Sequence, residues 1–140
     1  MGISDSDFEK MYSEAVRKCS VGQSQFHIDH LLDWSGKKKL KEVLFDSEQI
    51  LAVASADKKD DDLKVYLLAS ALTRNALILT NMRLMFISKG LLGTLVKEVS
   101  VKQFKQIEWL NDNMLKFSDA KVVTTEKELQ VMKELIYQMM

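Results

Sequence analysis

The sequence predicts an α+β fold: a bent antiparallel sheet, shaped as a half-barrel, that a C-terminal helix caps and a helical N-terminal extension precedes. Residues 1–46 carry apolar side chains at helical spacing, and from residue 48 short apolar runs alternate with turn residues. The last segment, 125–139, is one amphipathic stretch. A lone curved sheet needs its open end covered, and a terminal helix can cover it. We therefore expect an extension over 1–46 and a sheet domain over 47–140.

The extension is expected to contain three amphipathic segments. Residues 4–7, SDSD, supply capping oxygens and negative charge for a first helix, and Gly22 is a plausible end for it. A second segment follows at 24–34 and a short third helix at 37–45. Because each has an apolar side, the extension should pack on another part of the protein. The stripe of the first helix comprises Phe8, Met11, Tyr12, Ala15, Val16 and Cys19.

The sheet domain reads as a series of short strands. The run 50–56 suits a strand that leads into a polar loop at 57–62, DKKDDD, while 63–72 is compatible with either strand or helix, with strand preferred. A strand pair joined by a tight turn occupies 75–90. Further strands are expected at 91–101, 104–110 and 114–119.

A well-signalled helix closes the chain. Thr125 and Glu128 have the spacing of a capping box, in which each residue satisfies a backbone N–H of the first turn. The apolar stripe that follows comprises Leu129, Met132, Leu135, Ile136 and Met139. This helix is the expected cap of the sheet.

The stretch 77–110, LILTNMRLMFISKGLLGTLVKEVSVKQFKQIEWL, resembles the bacterial pleckstrin-homology (PH)-like domains, most of all the YokE-like type. The resemblance rests on the hairpin LILTNMRLMFIS, then KGLLG, EVSV and IEW; the related GRAM domains have a similar Thr-Asn-x-Arg hairpin. It covers about 48–140 and implies a strongly bent antiparallel sheet, a closing helix and a non-catalytic scaffold. Two features depart from the family: the tail after Trp109 looks short for the usual last strands, and 1–46 match nothing in it.

The hairpin residues Thr80, Asn81 and Arg83 are expected to be structural. Asn tolerates the left-handed backbone conformation that a tight turn demands, and Thr can hydrogen-bond across such a turn. We expect Arg83 to pair with backbone carbonyls or with a carboxylate.

A basic stretch at 74–105 is the main charge feature, with six cations against Glu98 alone. If several of the cations share a face, they could approach an anionic lipid surface at around 1 kcal/mol each. The competing interpretation is that they are solvated lysines that protect sheet edges from aggregation. The six residues are Arg74, Arg83, Lys89, Lys97, Lys102 and Lys105.

A metal site is conceivable at Cys19, His27 and His30, because thiolate and imidazole are zinc ligands. Neither a closely spaced Cys pair nor an H-E-x-x-H motif accompanies them, so we predict no metal and no cofactor. The DKKDDD loop lacks the spacing of a calcium loop, and its net negative charge argues against phosphate binding there.

The composition indicates a globular chain without an obvious chemistry. It has 20 basic and 20 acidic side chains, which gives no indication of a nucleic-acid partner, and it carries no catalytic motif that we recognise. The single cysteine and the lack of a signal sequence or of an apolar run near 20 residues favour a cytoplasmic protein. The resemblance to the bacterial PH-like domains implies a bacterial or phage source.

The sequence thus predicts a non-enzymatic module that binds another protein. Association with anionic membranes through 74–105 is the alternative, and a metal-dependent enzyme is a distant third. Homo-oligomers could form through sheet edges or N-terminal helices. Among apolar residues that could anchor an interface we consider Trp34, Phe45, Met139 and Met140, although we expect Phe45 to lie in the core.

Overall fold

The computed structural model describes residues 3–20, 34–58, 74–90 and 93–140. These residues form the expected α+β architecture with a C-terminal helix. The expectations for 24–33 and 63–72 lie outside the described residues. In chain order the elements are α1 (Asp5–Ser20), α2 (Trp34–Val43), β1 (Ile50–Ser55), β2 (Asp57–Lys58), β3 (Arg74–Thr80), β4 (Arg83–Gly90), β5 (Gly93–Ser100), a 3₁₀ helix (Val101–Gln106), β6 (Glu108–Asn111), β7 (Met114–Phe117), β8 (Ala120–Val123) and α3 (Glu126–Met139).

The strands form two antiparallel sheets where the sequence predicts one bent sheet. The first has the order β1-β3-β4-β5 and the second the order β2-β8-β7-β6. Only Ala56 separates β1 from β2, so one chain segment passes directly from the first sheet into the second. At the other ends, β5 and β6 are edge strands, and the 3₁₀ helix connects them along the chain. Because β5 and β6 do not pair with each other, the described strands do not close into a barrel.

Both faces of the first sheet are buried over β1, β3 and most of β4, which explains the nearly continuous apolar sequences of these strands. In β4, Leu84 and Phe86 belong to a core with the second sheet and α3, whereas Met85 and Ile87 belong to a core with α1 and α2. Because successive strand residues point to opposite faces, an unbroken apolar run suits such a doubly covered strand. The predicted helical extension thus packs on the sheet through α1 and α2.

The tail after Trp109 holds the end of β6 and two further strands before the helix, so the expectation that it leaves little room for the last strands is wrong. β6, β7 and β8 have four residues each and tight connections. The β7–β8 turn is formed by Ser118 and Asp119, both in the left-handed region at φ 48° and 64°. Two consecutive positive φ values suit the twist of a two-residue hairpin, and Asp tolerates them.

Two strand boundaries also differ from the sequence prediction. Residues 101–106, partly assigned to strands, form a 3₁₀ helix that buries Phe104. Asp57 and Lys58, assigned to a loop, form β2 and pair with Val123 and Val122. In both places long-range pairing or burial overrides local composition.

Both helix starts that can be checked follow the sequence signals. Ser4 Oγ accepts a hydrogen bond from Asp7 N at 3.2 Å before α1. Before α3, Thr125 Oγ1 accepts from Glu128 N at 3.2 Å and donates to Glu128 Oε1 at 2.8 Å. Glu128 is buried and also accepts from Ser55 N and Ser55 Oγ, each at 2.8 Å. The cap of α3 thereby ties the helix to the end of β1.

Candidate functional site

The β3–β4 hairpin has the predicted structural role, but by a partly different mechanism. Thr80 Oγ1 accepts from Met82 N at 3.1 Å and from Arg83 N at 3.0 Å, which closes the turn. Asn81 does not use the left-handed conformation, since the non-glycine residues with positive φ in the described part are Ser118 and Asp119.

Asn81 instead anchors the hairpin to the chain segment before β1. Its Oδ1 accepts from Gln49 N at 2.8 Å, and its Nδ2 donates to Ser47 O at 3.4 Å. The Asn81 side chain thus serves as the hydrogen-bond partner for backbone groups of the segment between α2 and β1. Asn81 is exposed, yet its polar atoms are used within the protein.

Arg83 is buried and pairs with Glu48, a residue that the sequence analysis did not single out. Its NH2 donates to Glu48 Oε1 and its Nε donates to Glu48 Oε2, both at 2.9 Å. NH1 donates to Glu98 Oε2 at 2.5 Å and NH2 also to Val43 O at 2.6 Å. The expected pairing with a carboxylate and a carbonyl is confirmed, and burial removes Arg83 from any exposed cationic surface.

The environment of this pair favours its charged form. Burial alone would raise the pKa of Glu48, but the hydrogen bonds from Arg83, Thr80 and Phe45 N bring the pKa below its usual value. Burial alone would lower the pKa of Arg83, and the Glu48 carboxylate raises it on balance. The charged pair therefore holds the α2–β1 segment and the hairpin together.

Phe45 lies over the Arg83–Glu48 ion pair and faces solvent, so the expectation that it is a core residue is wrong. Its side chain is 60% exposed, and its ring covers the Arg83 guanidinium at 4.6 Å. A groove of about 440 Å³ lies beside it, lined by Ile3 and Leu44 together with charged residues. Acidic and basic side chains are mixed along this groove, and Asp5 pairs with Lys41 within it. The lining therefore does not define the chemistry of one ligand.

The basic stretch does not form one cationic face. Opposite Leu84 and Ile87 of β4 stand Val99 and Val96 of β5, which belong to different cores. By strand alternation, Lys97 lies on the face of the second sheet and α3, whereas Lys89 lies on the face of α1. Lys97 is on the edge strand β5, which suits the protective role of edge lysines.

The remaining members of the stretch are also dispersed. Lys102 and Lys105 are exposed on the 3₁₀ helix, while the side chain of Arg74 lies outside the described part. In the portions of the chain that the structure describes, no helix has both the length and the apolar character to cross a bilayer.

The metal candidate is not assembled within the described residues. Cys19 is buried in the apolar core, and burial, with a further contribution from the Glu128 charge, raises the pKa of its thiol to about 12. His27 and His30 lie outside the described residues. Over 3–20, 34–58, 74–90 and 93–140, no three His, Cys, Asp or Glu side chains are grouped to hold a metal ion. A protonated, buried thiol is neither a ready ligand nor a nucleophile.

The strongest candidate for a functional surface lies where β6 meets α3. The Trp109 and Tyr137 rings meet edge to face with centroids 6.1 Å apart, and Lys133 Nζ lies 5.2 Å from the Trp109 centroid and 5.8 Å from that of Tyr137. Tyr137 is 53% exposed, although α3 also has a buried side on which an aromatic ring could pack. We call Trp109, Lys133 and Tyr137 the aromatic platform.

The aromatic platform adjoins an open strand edge. β6 pairs with β7 on one side, and no described strand pairs with its other side. An edge strand presents backbone N–H and C=O groups to any extended chain that approaches. On the opposite face of β6, Glu108 pairs with Lys116 at 4.0 Å, and Leu110, at the irregularity between Trp109 and Asn111, is 43% exposed. The site thus combines a strand edge that no described strand covers with aromatic side chains.

Sequence reasoning missed this platform, although a signal existed. Tyr137 and Lys133 stand off the buried stripe of α3, where an exposed aromatic residue is not needed for packing. Met140 is 53% exposed on the same end of the helix, as considered from the sequence, while Met139 packs partly against the core. The side chain of Trp34 lies outside the described part. That Trp109 would contact α3 depends on tertiary structure and was not visible in the sequence.

No family model matches the chain, and neither a curated protein nor a solved structure matches it.

Proposed function

We propose that this chain is a PH-like, non-enzymatic module that binds an extended segment of another protein along the open edge of β6. The bound segment adds a strand to the second sheet and packs its side chains on the aromatic platform. The PH-like assignment is supported by the strand order, by the chain segment that crosses between the sheets at Ala56, and by the C-terminal helix.

The observation that carries the proposal is the contact of the exposed Tyr137 with the half-buried Trp109 beside an edge strand. Tryptophan and tyrosine are the residues most often responsible for binding energy in protein interfaces. Backbone hydrogen bonds to an added strand supply affinity, and side-chain contacts on alternate residues supply specificity. In this protein the open edge of β6 lies next to the aromatic platform, so a bound segment can make both kinds of contact.

The groove beside Phe45 is a less specific alternative. Its aromatic residue is 60% exposed, but the mixed charges of its lining favour no single partner chemistry. The anionic-membrane alternative loses support because Arg83 is buried and Lys89 and Lys97 lie on opposite faces.

The proposal is tested by selecting binders from a displayed library of random short peptides and measuring their affinity for variants by fluorescence anisotropy. Tyr137→Ala removes an exposed ring and should weaken binding by roughly 30-fold, the equivalent of a hot-spot loss of about 2 kcal/mol. Phe45→Ala is the matched control, because it removes an equally exposed ring elsewhere, and it should leave the affinity unchanged. Failure to select any peptide, or an affinity loss confined to Phe45→Ala, would contradict the proposal.

A further inference from the structure

The aromatic platform contains a cation whose charge no described carboxylate balances. Lys133 Nζ lies over both rings, and no ion pair links it to an acidic side chain of the described residues. On the exposed surface of α3 it is followed one turn later by Tyr137 and then by Met140. The platform therefore has an apolar part and one positive charge.

The position of this charge relates it to one side of the β6 edge. Trp109 contacts Lys133 and Tyr137, so its side of β6 faces α3, whereas the preceding residue, Glu108, points to the other side. A strand added at the edge would likewise present alternate side chains to α3. One of these would come into the reach of the Lys133 ammonium, whose long stem allows it to move off the rings.

From this geometry we infer that the partner is an acidic extended segment, with a carboxylate on the side facing α3 that pairs with Lys133 and apolar side chains at neighbouring alternate positions that pack on Trp109 and Tyr137. The inference rests on the proposed binding of a segment along β6 and specifies the chemistry of that segment. Complementary charge at the rim of an interface chiefly selects the partner and speeds association.

The composition of the selected peptides tests the inference. Selection on the unmodified protein should enrich Glu or Asp at a fixed position, with apolar residues two positions away. Selection on Lys133→Glu should replace that acidic residue with Lys or Arg. An acidic peptide selected on the unmodified protein should bind Lys133→Glu about tenfold more weakly at low salt, and the difference should shrink at high salt.

Lys127→Glu provides the matched control, because Lys127 is exposed on the same helix but away from the platform. It should leave the preference for acidic residues and the affinity unchanged. Peptides that bind through the platform without an acidic preference would overturn the inference and leave the proposed function standing. If no peptide binds, both fail, and equal effects of Lys127→Glu and Lys133→Glu would show that only overall charge matters.

Discussion

Glu48 and Arg83 form a buried, two-point ion pair that fastens the segment before β1 to the β3–β4 hairpin, with both contacts at 2.9 Å. The Glu48 side chain is fully buried, and Thr80 Oγ1 donates to its Oε2 at 2.5 Å. Every oxygen and nitrogen of the pair has a partner, which is the condition under which buried charges are tolerated. The hairpin and the α2–β1 segment should therefore unfold together.

Arg83→Met should destabilise the protein by about 3–5 kcal/mol, because it leaves the Glu48 carboxylate buried without a cation. Urea unfolding followed by circular dichroism measures the change. The control is Glu98→Gln, which removes the partly exposed carboxylate that also contacts Arg83 and should cost less than about 1 kcal/mol. Similar losses for both variants would show that the Glu48 contact contributes no more to the free energy of unfolding than the Glu98 contact does.

Stability should decrease as the solution becomes acidic, and Glu48 should account for part of the decrease. Its pKa in the folded protein lies below the usual 4.5, so the ionised form stabilises the fold above that value, and this contribution is lost as the pH falls through the folded pKa. The unfolding free energy measured between neutral pH and about pH 3 should therefore depend less steeply on pH in Glu48→Gln. Identical slopes for the two proteins would contradict the assignment.

The cap of α3 should contribute to stability through two separable contacts. Thr125→Ala removes the N-cap hydrogen bond and should cost about 1 kcal/mol. Glu128→Ala should cost more, because it also removes the carboxylate that accepts from Ser55 N and Ser55 Oγ at a part-buried position. Thermal unfolding checks both, and Glu126→Ala, at an exposed position of the same turn, should have a smaller effect. A larger loss for Thr125→Ala than for Glu128→Ala would speak against the Ser55 contact.

Cys19 should be unreactive while the protein is folded. Its thiol is buried and has a pKa of about 12, so almost none of it is thiolate at about pH 8. An aromatic disulfide reagent should react with the protein in strong urea and hardly at all in buffer. Rapid reaction of the native protein would show that the thiol is accessible and would revive the metal hypothesis for Cys19.

Local signals were sufficient for much of the fold. The stripe of α1, the capping box at Thr125 and the hairpin 75–90 are all encoded over short distances, and the structure contains each of them. The division into two sheets was not predictable, because β1 and β2 read as one strand and a loop. Only the pairing of Asp57 and Lys58 with β8, far along the chain, assigns them to a second sheet.

The candidate site was harder to predict than the fold. The sequence puts Arg83 both among the structural hairpin residues and in the basic stretch, and its buried ion pair with Glu48, a residue 35 positions earlier in the chain, decides for the structural role. An apolar ring such as Phe45 is expected in the core, whereas the Arg83 guanidinium beneath it gives the exposed ring a favourable contact. The aromatic platform is formed by residues of β6 and α3, and no local sequence pattern indicates that these two elements lie close together.

Hydrogen exchange of the β6 amides, measured by NMR with and without a selected peptide, tests the central claim most directly. Amides of Glu108–Asn111 that exchange freely in the unbound protein should become protected when the peptide adds a strand, with accompanying shifts of the Trp109 and Tyr137 ring signals. Unchanged exchange in β6, with protection elsewhere such as around Phe45, would contradict binding along this edge.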